Sequence, residues 1–332
     1  MLNFNLLDKI LVENNSFIIT THVNPDADAI GAELAFYRML KIIKKEVKII
    51  NYSSTPYNLE FLDTDKIIEK YCLEIHKDLI NSYDVILTLD MNSIKRTVKM
   101  ADLILNSNIK KVCIDHHQNP EEFADYYFVD TQASATCEII FDFLFSFYPD
   151  LITKDIAIPL YAGIMTDTGS FRFSRTTPKL HRDVAFLIEK GADPFDIYDK
   201  IYDQSKFSKV KLLGKALNTI ELIYNGKIGF MTITQDDFNV TQAIESDTDN
   251  FVNFILSIEG VLFGILFIEL PNGFKASFRS KGEIPADLVA KNFGGGGHRN
   301  ASGARFYNQK LDKNIIDQIL NYSINFLQSL GK

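Results

Sequence analysis

The chain has 332 residues, 46% of them hydrophobic and 23% charged, a balance that excludes disorder, collagen-like repeats and a coiled coil as the main architecture. At roughly 100–200 residues per domain the length predicts two domains. Lys and Arg number 35 against 43 Asp and Glu, and the net charge of −8 disfavours a protein whose main task is to coat nucleic acid, so an anionic ligand must be held by a local site.

The N-terminal MLNFNLLDKILVENN lacks a basic segment followed by an apolar one and predicts an amphipathic helix with Phe4, Leu7, Ile10 and Leu11 on one face. From Phe17 to Asp130 short β-rich runs alternate with helix-length segments, the pattern of a parallel sheet with crossover helices. The predicted strands are Phe17–Thr21, Val47–Asn51, Asp84–Asp90, Lys110–Asp115 and Tyr126–Val129. The predicted helices are Ala29–Lys45, Ala133–Tyr148 and a segment from Thr153 to about Met165. From Pro178 to Tyr224 the texture is that of consecutive helices, the expected connector. Beyond it, Lys227–Thr234, Gly260–Leu270 and Gly273–Arg279 read as strands, with Pro271 and Asn272 in the tight turn of a hairpin. Gly260–Leu270 is the longest apolar run, about half the ~20 residues needed to cross a bilayer, so it reads as a buried strand and no membrane anchor is expected. The helix Pro285–Phe293, the run GGGGHRNASG, a strand over Gly303–Tyr307 and a closing helix Leu311–Leu330 complete a smaller α+β unit. Cys72, Cys113 and Cys137 form no CxxC pair, which argues against disulfides and a zinc ribbon and for a reducing, cytoplasmic setting.

Asp and His concentrate where the strands of the first half end. His22, Asp26 and Asp28 lie in HVNPDADAIG directly after the first strand, Asp90 closes DVILTLD, Asp115, His116 and His117 close KVCIDHH, and Asp167 lies in GIMTDTGSF. In an open parallel sheet, ligands bind beyond the carboxyl ends of the strands, so these segments are expected to converge. Crowded carboxylates repel unless cations neutralise them. Mixed Asp/His ligation without cysteine suits Mn²⁺, Mg²⁺ or Fe²⁺, and a donor set large enough for two ions predicts two-metal attack of an activated water on a phosphoryl group. Taken singly, Asp90 reads as a cap or turn residue and His22 as a packed histidine; recurrence at several strand ends favours the metal reading. His76 and His181 lie outside these segments and read as surface or structural residues.

These motifs, with the terminal GGGGHRNASG, resemble the DHH/DHHA1 phosphoesterases, and within them the group of bifunctional oligoribonucleases and PAP phosphatases, from about residue 15 to 325. The resemblance implies an N-terminal parallel-sheet DHH domain (1–185), a helical connector (186–224) and a smaller α+β DHHA1 domain (225–332), with the active site in the cleft between domains. It implies two divalent ions, Mn²⁺ ahead of Mg²⁺, one held by His22, Asp26 and Asp90 and the other by Asp28, Asp90, His116 and Asp167. By the same resemblance His117 assists the leaving group while Asp115 orients a ligand histidine. The four glycines Gly294–Gly297 let backbone N–H groups approach a phosphate or base, His298 follows them, and Arg279 and Arg299 offer guanidinium forks. Arg96 is a further phosphate candidate. Where relatives are expected to carry a Ser-Thr or Ser-Ser pair, this chain has Ala135 and Thr136, which puts one polar contact near the metals in question.

The expected substrates are very short single-stranded oligonucleotides, pApA-type dinucleotides among them, and 3′-phosphoadenosine 5′-phosphate (PAP). The resemblance leaves a homodimer open. An inorganic pyrophosphatase closes a DHH core with a different second domain, RecJ-like exonucleases are longer chains, and a catalytically silent nucleotide sensor would have lost a metal ligand; this chain has lost none.

Overall fold

The protein is described by a computed structural model covering residues 2–332, in which His298 is described by its backbone alone. The chain divides into two compact units, residues 1–204 and 205–332.

The first unit opens with helix α1 (Phe4–Glu13), whose N-terminus is capped by Asn3 accepting from the Leu6 amide. Leu7, Ile10 and Leu11 are buried, and Phe4 meets Phe143 edge-on at 5.7 Å. There follow β1 (Ser16–Thr20), α2 (Ala27–Ile42), β2 (Glu46–Asn51), β3 (Ile68–Lys70), α3 (Leu73–Ile80), β4 (Val85–Leu89), α4 (Ala101–Leu105), β5 (Lys110–Asp115), β6 (Tyr126–Val129), α5 (Thr136–Phe147), α6 (Lys154–Asp167), α7 (Pro178–Glu189) and α8 (Pro194–Tyr198). The six strands pair in the order β3-β2-β1-β4-β5-β6, all neighbours parallel. Chain order reverses between β1 and β4, the position where open sheets hold ligands.

The central strands β1 and β4 are apolar on both faces because helices cover both sides. Helix α2 is buried almost all round and packs against α5 and α6. A Cβ at Gly31 would come 2.3 Å from the Pro159 carbonyl oxygen, so the α2–α6 approach depends on the absent side chain. Pro159 lies inside α6 and has no N–H for the Asp155 carbonyl one turn earlier. The Arg38 guanidinium, from α2, donates to that carbonyl instead.

In the second unit, α9 (Phe207–Leu217), β7 (Glu221–Ile223), β8 (Ile228–Ile233), α10 (Gln235–Thr241), α11 (Val252–Leu256), β9 (Phe263–Leu270), β10 (Gly273–Ser280), α12 (Ala286–Asn292), β11 (Gly296–His298), β12 (Ala301–Tyr307) and α13 (Lys313–Ser329) follow in order. The sheet runs β11-β12-β10-β9-β8-β7, antiparallel except for the β8–β9 pair. Two apolar clusters sandwich it. Phe263, Phe274, Phe278, Val289, Ile319 and Leu327 pack on one side, and Leu212, Met231, Phe238, Ile255 and Ile268 on the other.

The main differences from the sequence reading are three short strands. β3 carries a single apolar residue followed by two charged ones, β7 replaces the helical end expected at Tyr224, and β11 takes up part of the glycine run that composition marks as loop. All three are edge or near-edge strands of three residues, whose pairing comes from the neighbouring strand rather than from their own propensity.

Gly31→Ala is expected to lower stability by about 1–3 kcal/mol through overpacking. A urea titration followed by circular dichroism checks this: the midpoint falls while the native spectrum is retained.

Candidate metal centre

The loop leaving β1 is held on several sides. The Thr21 amide donates to Asn51 Oδ1 at 3.2 Å and the Thr21 hydroxyl to the Leu89 carbonyl at 2.8 Å, which ties the ends of β2 and β4 to that of β1. Asn51 in turn donates to Glu33, a fully buried carboxyl that burial pushes well above its usual value. Next along the loop, the Val23 amide donates to the Arg96 carbonyl at 2.7 Å and the Asn24 amide to Ser53 Oγ at 3.0 Å.

Asp26 caps α2, its Oδ1 accepting from the amides of Asp28 and Ala29 at 3.1 Å. Asp28, in the first turn of the helix, is fully buried. Its two oxygens accept from the Thr136 amide at 2.7 Å and the Cys137 amide at 2.8 Å, the first N–H groups of α5, where a helix terminus favours negative charge. Gly163 permits this arrangement: a Cβ there would stand 2.8 Å from Asp28 Oδ1.

Asp90, just past β4, has φ +57°, a left-handed conformation whose cost the surrounding contacts must offset. Its Oδ1 accepts from the Thr136 hydroxyl at 3.0 Å and lies 3.4 Å from His116 Nε2 and 3.6 Å from His117 Nδ1. Its Oδ2 lies 3.4 Å from His22 Nε2. Asp167, the last residue of α6, places Oδ2 3.2 Å from His116 Nε2.

The charges divide unequally. Burial alone would raise the Asp90 carboxyl, but hydrogen bonding from His116 and His22 outweighs it and holds the group far below the usual range. Burial and the neighbouring Asp90 charge push Asp28 up to about 7, and burial with the Asp28 charge carries Asp167 well above its ordinary value. Burial would lower the His116 imidazole; Asp90, Asp28 and Asp167 together push it up to about 10.

Three groups each converge donor atoms within 4.8 Å of one another: His22, Asp26 and Asp90; Asp28, His116 and Asp167; and Asp90, His116 and His117. All six residues read from sequence as ligands fall in these groups, and Asp90 and His116 each serve two. The donor set fits hard to borderline divalent cations. It is oxygen and imidazole without thiolate, its carboxylates crowd one another, and among the described residues His116 Nδ1 and Asp115 Oδ2 are buried without a hydrogen-bond partner.

Asp115 corrects one expectation. Its Oδ1 lies 2.7 Å from His117 Nδ1, so the histidine it orients is His117 and not one of the two read as ligands. Arg96 places Nη1 3.5 Å from His117 Nε2 on the other side of the same ring. Thr136, which the sequence marks only as a departure, bonds both Asp28 and Asp90. Together with Cys137 it is the contributor that the strand-end argument missed, because it reaches the site from a helix start more than a hundred residues from Asp28.

In the second unit, Arg279 pairs in register with Ala301, and Ala301 with the backbone of His298. The His298 side chain lies outside the described residues. Arg279 is half-buried and donates to the Phe278 carbonyl at 3.0 Å; burial draws its guanidinium below the usual value, against the attraction of Asp249. Arg299 pairs at 2.6 Å with Glu283 in an exposed ion pair. A Cβ at Gly295 or Gly297 would strike the β12 backbone, at Gly303 and Ala301 respectively, whereas Gly296 faces open space. Close strand approach therefore accounts for two of the glycines read as ligand contacts.

An Asp/His cluster able to hold cations at the carboxyl ends of a parallel sheet, with the two-unit organisation, defines the class: a two-unit α/β protein with a candidate metal site. Residues 16–164 match the DHH family, N-terminal domain, and residues 238–328 match the DHHA1 domain. The bifunctional oligoribonuclease and PAP phosphatase NrnA of Thermus thermophilus is 32% identical over 301 residues, covering 89% of this chain and 85% of that protein. The Bacillus subtilis protein of the same name is 28% identical, covering 91% and 93%. The crystal structure of an exopolyphosphatase-related protein from Bacteroides fragilis superposes with a TM-score of 0.94 at 31% identity, covering 98% of this chain and 96% of that one. The chain belongs to the DHH/DHHA1 family.

Because Asp28 holds its proton up to about pH 7 in the metal-free protein, a cation must displace it. Affinity for Mn²⁺ is expected to rise as pH increases through about 7 and to go on rising toward about 10, where His116 gives up the proton that a cation must also displace, with proton release on binding. Calorimetric titrations in buffers of different ionisation enthalpy measure both; a pH-independent affinity would be the contrary result.

Proposed function

We propose that this protein is a metal-dependent phosphoesterase that hydrolyses short oligoribonucleotides, pApA-type dinucleotides among them, to mononucleotides and removes the 3′-phosphate of PAP. The observation that carries the reading is Asp90: one buried carboxylate within 3.4 Å of both His22 and His116, the anchors of two adjoining donor groups. The relatives from Thermus thermophilus and Bacillus subtilis, named as oligoribonucleases and PAP phosphatases, support the substrate class.

His22, Asp26 and Asp90 would hold one divalent ion and Asp28, Asp90, His116 and Asp167 the other, Mn²⁺ ahead of Mg²⁺ because imidazole favours the softer, less strictly hydrated ion. When bound, such ions supply Lewis-acid polarisation of a phosphoryl oxygen and a water acidic enough to attack it near neutral pH. The backbone amides of Thr136 and Cys137 keep Asp28 fixed as charge is redistributed, and the Thr136 hydroxyl does the same for Asp90. Asp115 holds the Nδ1 proton of His117, which directs Nε2 toward the leaving oxygen and lets the protonated ring donate there. Arg96, beside that nitrogen, is placed to meet a non-bridging phosphate oxygen. In the second unit, the face of β10 carrying Lys275 and Arg279 offers a cationic surface for the substrate.

Two measurements test the reading. Incubation with Mn²⁺ and labelled RNA from 2-mer to 24-mer is expected to show cleavage of 2-mers to 5-mers far faster than of the 24-mer, and none after exhaustive EDTA treatment. Asp167→Asn is the cleanest removal of a ligand, because its carboxylate is partly exposed and supports no described backbone hydrogen bond. It is expected to lower kcat by about 10²-fold or more, the scale of several kcal/mol of lost charge stabilisation, with an unchanged circular dichroism spectrum. Near-normal turnover by that variant would remove Asp167 from the site.

A further inference from the structure

At the same edge of the first unit's sheet, beside the metal cluster, lies an open cleft of about 780 Å³ lined by Asn24, Tyr52, Ser53, Lys70, Tyr71 and Lys99 among others. Building on the functional reading above, we propose that this cleft is a nucleotide subsite. It takes the nucleoside beyond the scissile phosphate, with the base against Tyr52 and Tyr71 and an anionic phosphate at Lys70 and Lys99.

Tyr52 and Ser53 follow the carboxyl end of β2, and Lys70 and Tyr71 stand at that of β3, so the cleft continues the row of strand ends that carries His22, Asp90 and His116. Cleft and cluster also share a wall. Asn24 lies two residues from both His22 and Asp26, and its amide donates to Ser53 Oγ at 3.0 Å. On the far side, the turn containing Arg96 runs on to Lys99 through Val98 at φ 55°, ψ −112°, a conformation that β-branched residues rarely adopt. That turn sets Arg96 beside His117 and Lys99 in the cleft within one short stretch, and a backbone held in such a conformation is a mark of functional constraint.

The chemistry of the lining also fits a nucleotide. Two ammonium groups face an otherwise acidic protein, and phenol rings are the side chains on which bases stack regardless of sequence. Tyr71 is itself backed by His76, with ring centroids 5.9 Å apart, and His76 is fixed by Glu69 at 3.2 Å and by the Cys72 amide at 2.9 Å. Glu74, the carboxylate in the lining, accepts from Cys72 Sγ at 2.9 Å. A volume of this size is within the range that holds a mononucleotide-sized ligand.

Cys72 gives the test its handle, because it opens on the cleft while Cys113 and Cys137 are fully buried. The full chain, before and after reaction with N-ethylmaleimide, is assayed with Mn²⁺ on pApA, beside Lys70→Gln/Lys99→Gln and a Cys72→Ser control. Alkylation and the double lysine variant are each expected to raise KM for pApA about tenfold, the scale of one lost stacking or phosphate contact, with Mn²⁺ affinity by calorimetry unchanged. Cys72→Ser is expected to be insensitive to the reagent. If wild type cleaves pApA and neither perturbation moves KM, the cleft is not a subsite and the functional reading stands. If wild type does not cleave pApA, the functional reading falls, and the subsite with it.

Discussion

The Asp90 carboxylate is the fixed point of the first unit. It is buried in a left-handed backbone conformation, receives the Thr136 hydroxyl, and faces the imidazoles of His22, His116 and His117. Those imidazoles hold Asp90 ionised, while burial, with the charges of the neighbouring carboxylates, favours the protonated forms of Asp28 and Asp167. An assembly of this kind is balanced by protons when metal-free and by cations when loaded, so its affinity for metal is coupled to pH through the same carboxyls.

Everything that surrounds this point serves to hold it. Asn51 and Glu33 form a buried relay that fixes the end of β1, while Arg38 restores the carbonyl bond that Pro159 removes from α6, the helix ending at Asp167. Gly31 and Gly163 let α2, α5 and α6 approach closely enough for the α5 amides to reach Asp28. Packing here is thus part of the chemistry: a helix displaced by a methyl group would move a charged oxygen.

The second unit uses its sheet differently. Strand β9 is buried on both faces, whereas β10 alternates, sending Phe274, Ala276 and Phe278 into one core and leaving Lys275, Ser277 and Arg279 on a less covered face. The glycine run joins this sheet as an edge strand, and its shape is set largely by contact with β12.

The sequence by itself determined the alternating parallel architecture, because β-branched runs separated by helical periodicity leave few other ways to bury their apolar faces. It also pointed to five of the six clustered Asp and His residues, since strand ends in such a sheet face a common crevice, whereas Asp167 comes from the end of α6. Only the tertiary structure decided which histidine Asp115 orients, since Asp115 is adjacent to His116 in sequence and only the backbone path after β5 sets its oxygen on His117. The same is true of Thr136 and Cys137 bonding Asp28, of Arg299 pairing with Glu283, and of β3, β7 and β11 pairing as strands. Local spacing carries no record of such contacts. They arise where separate elements meet, and the packing of helices on the sheet and the register of its strands fix them only once the whole chain is in place.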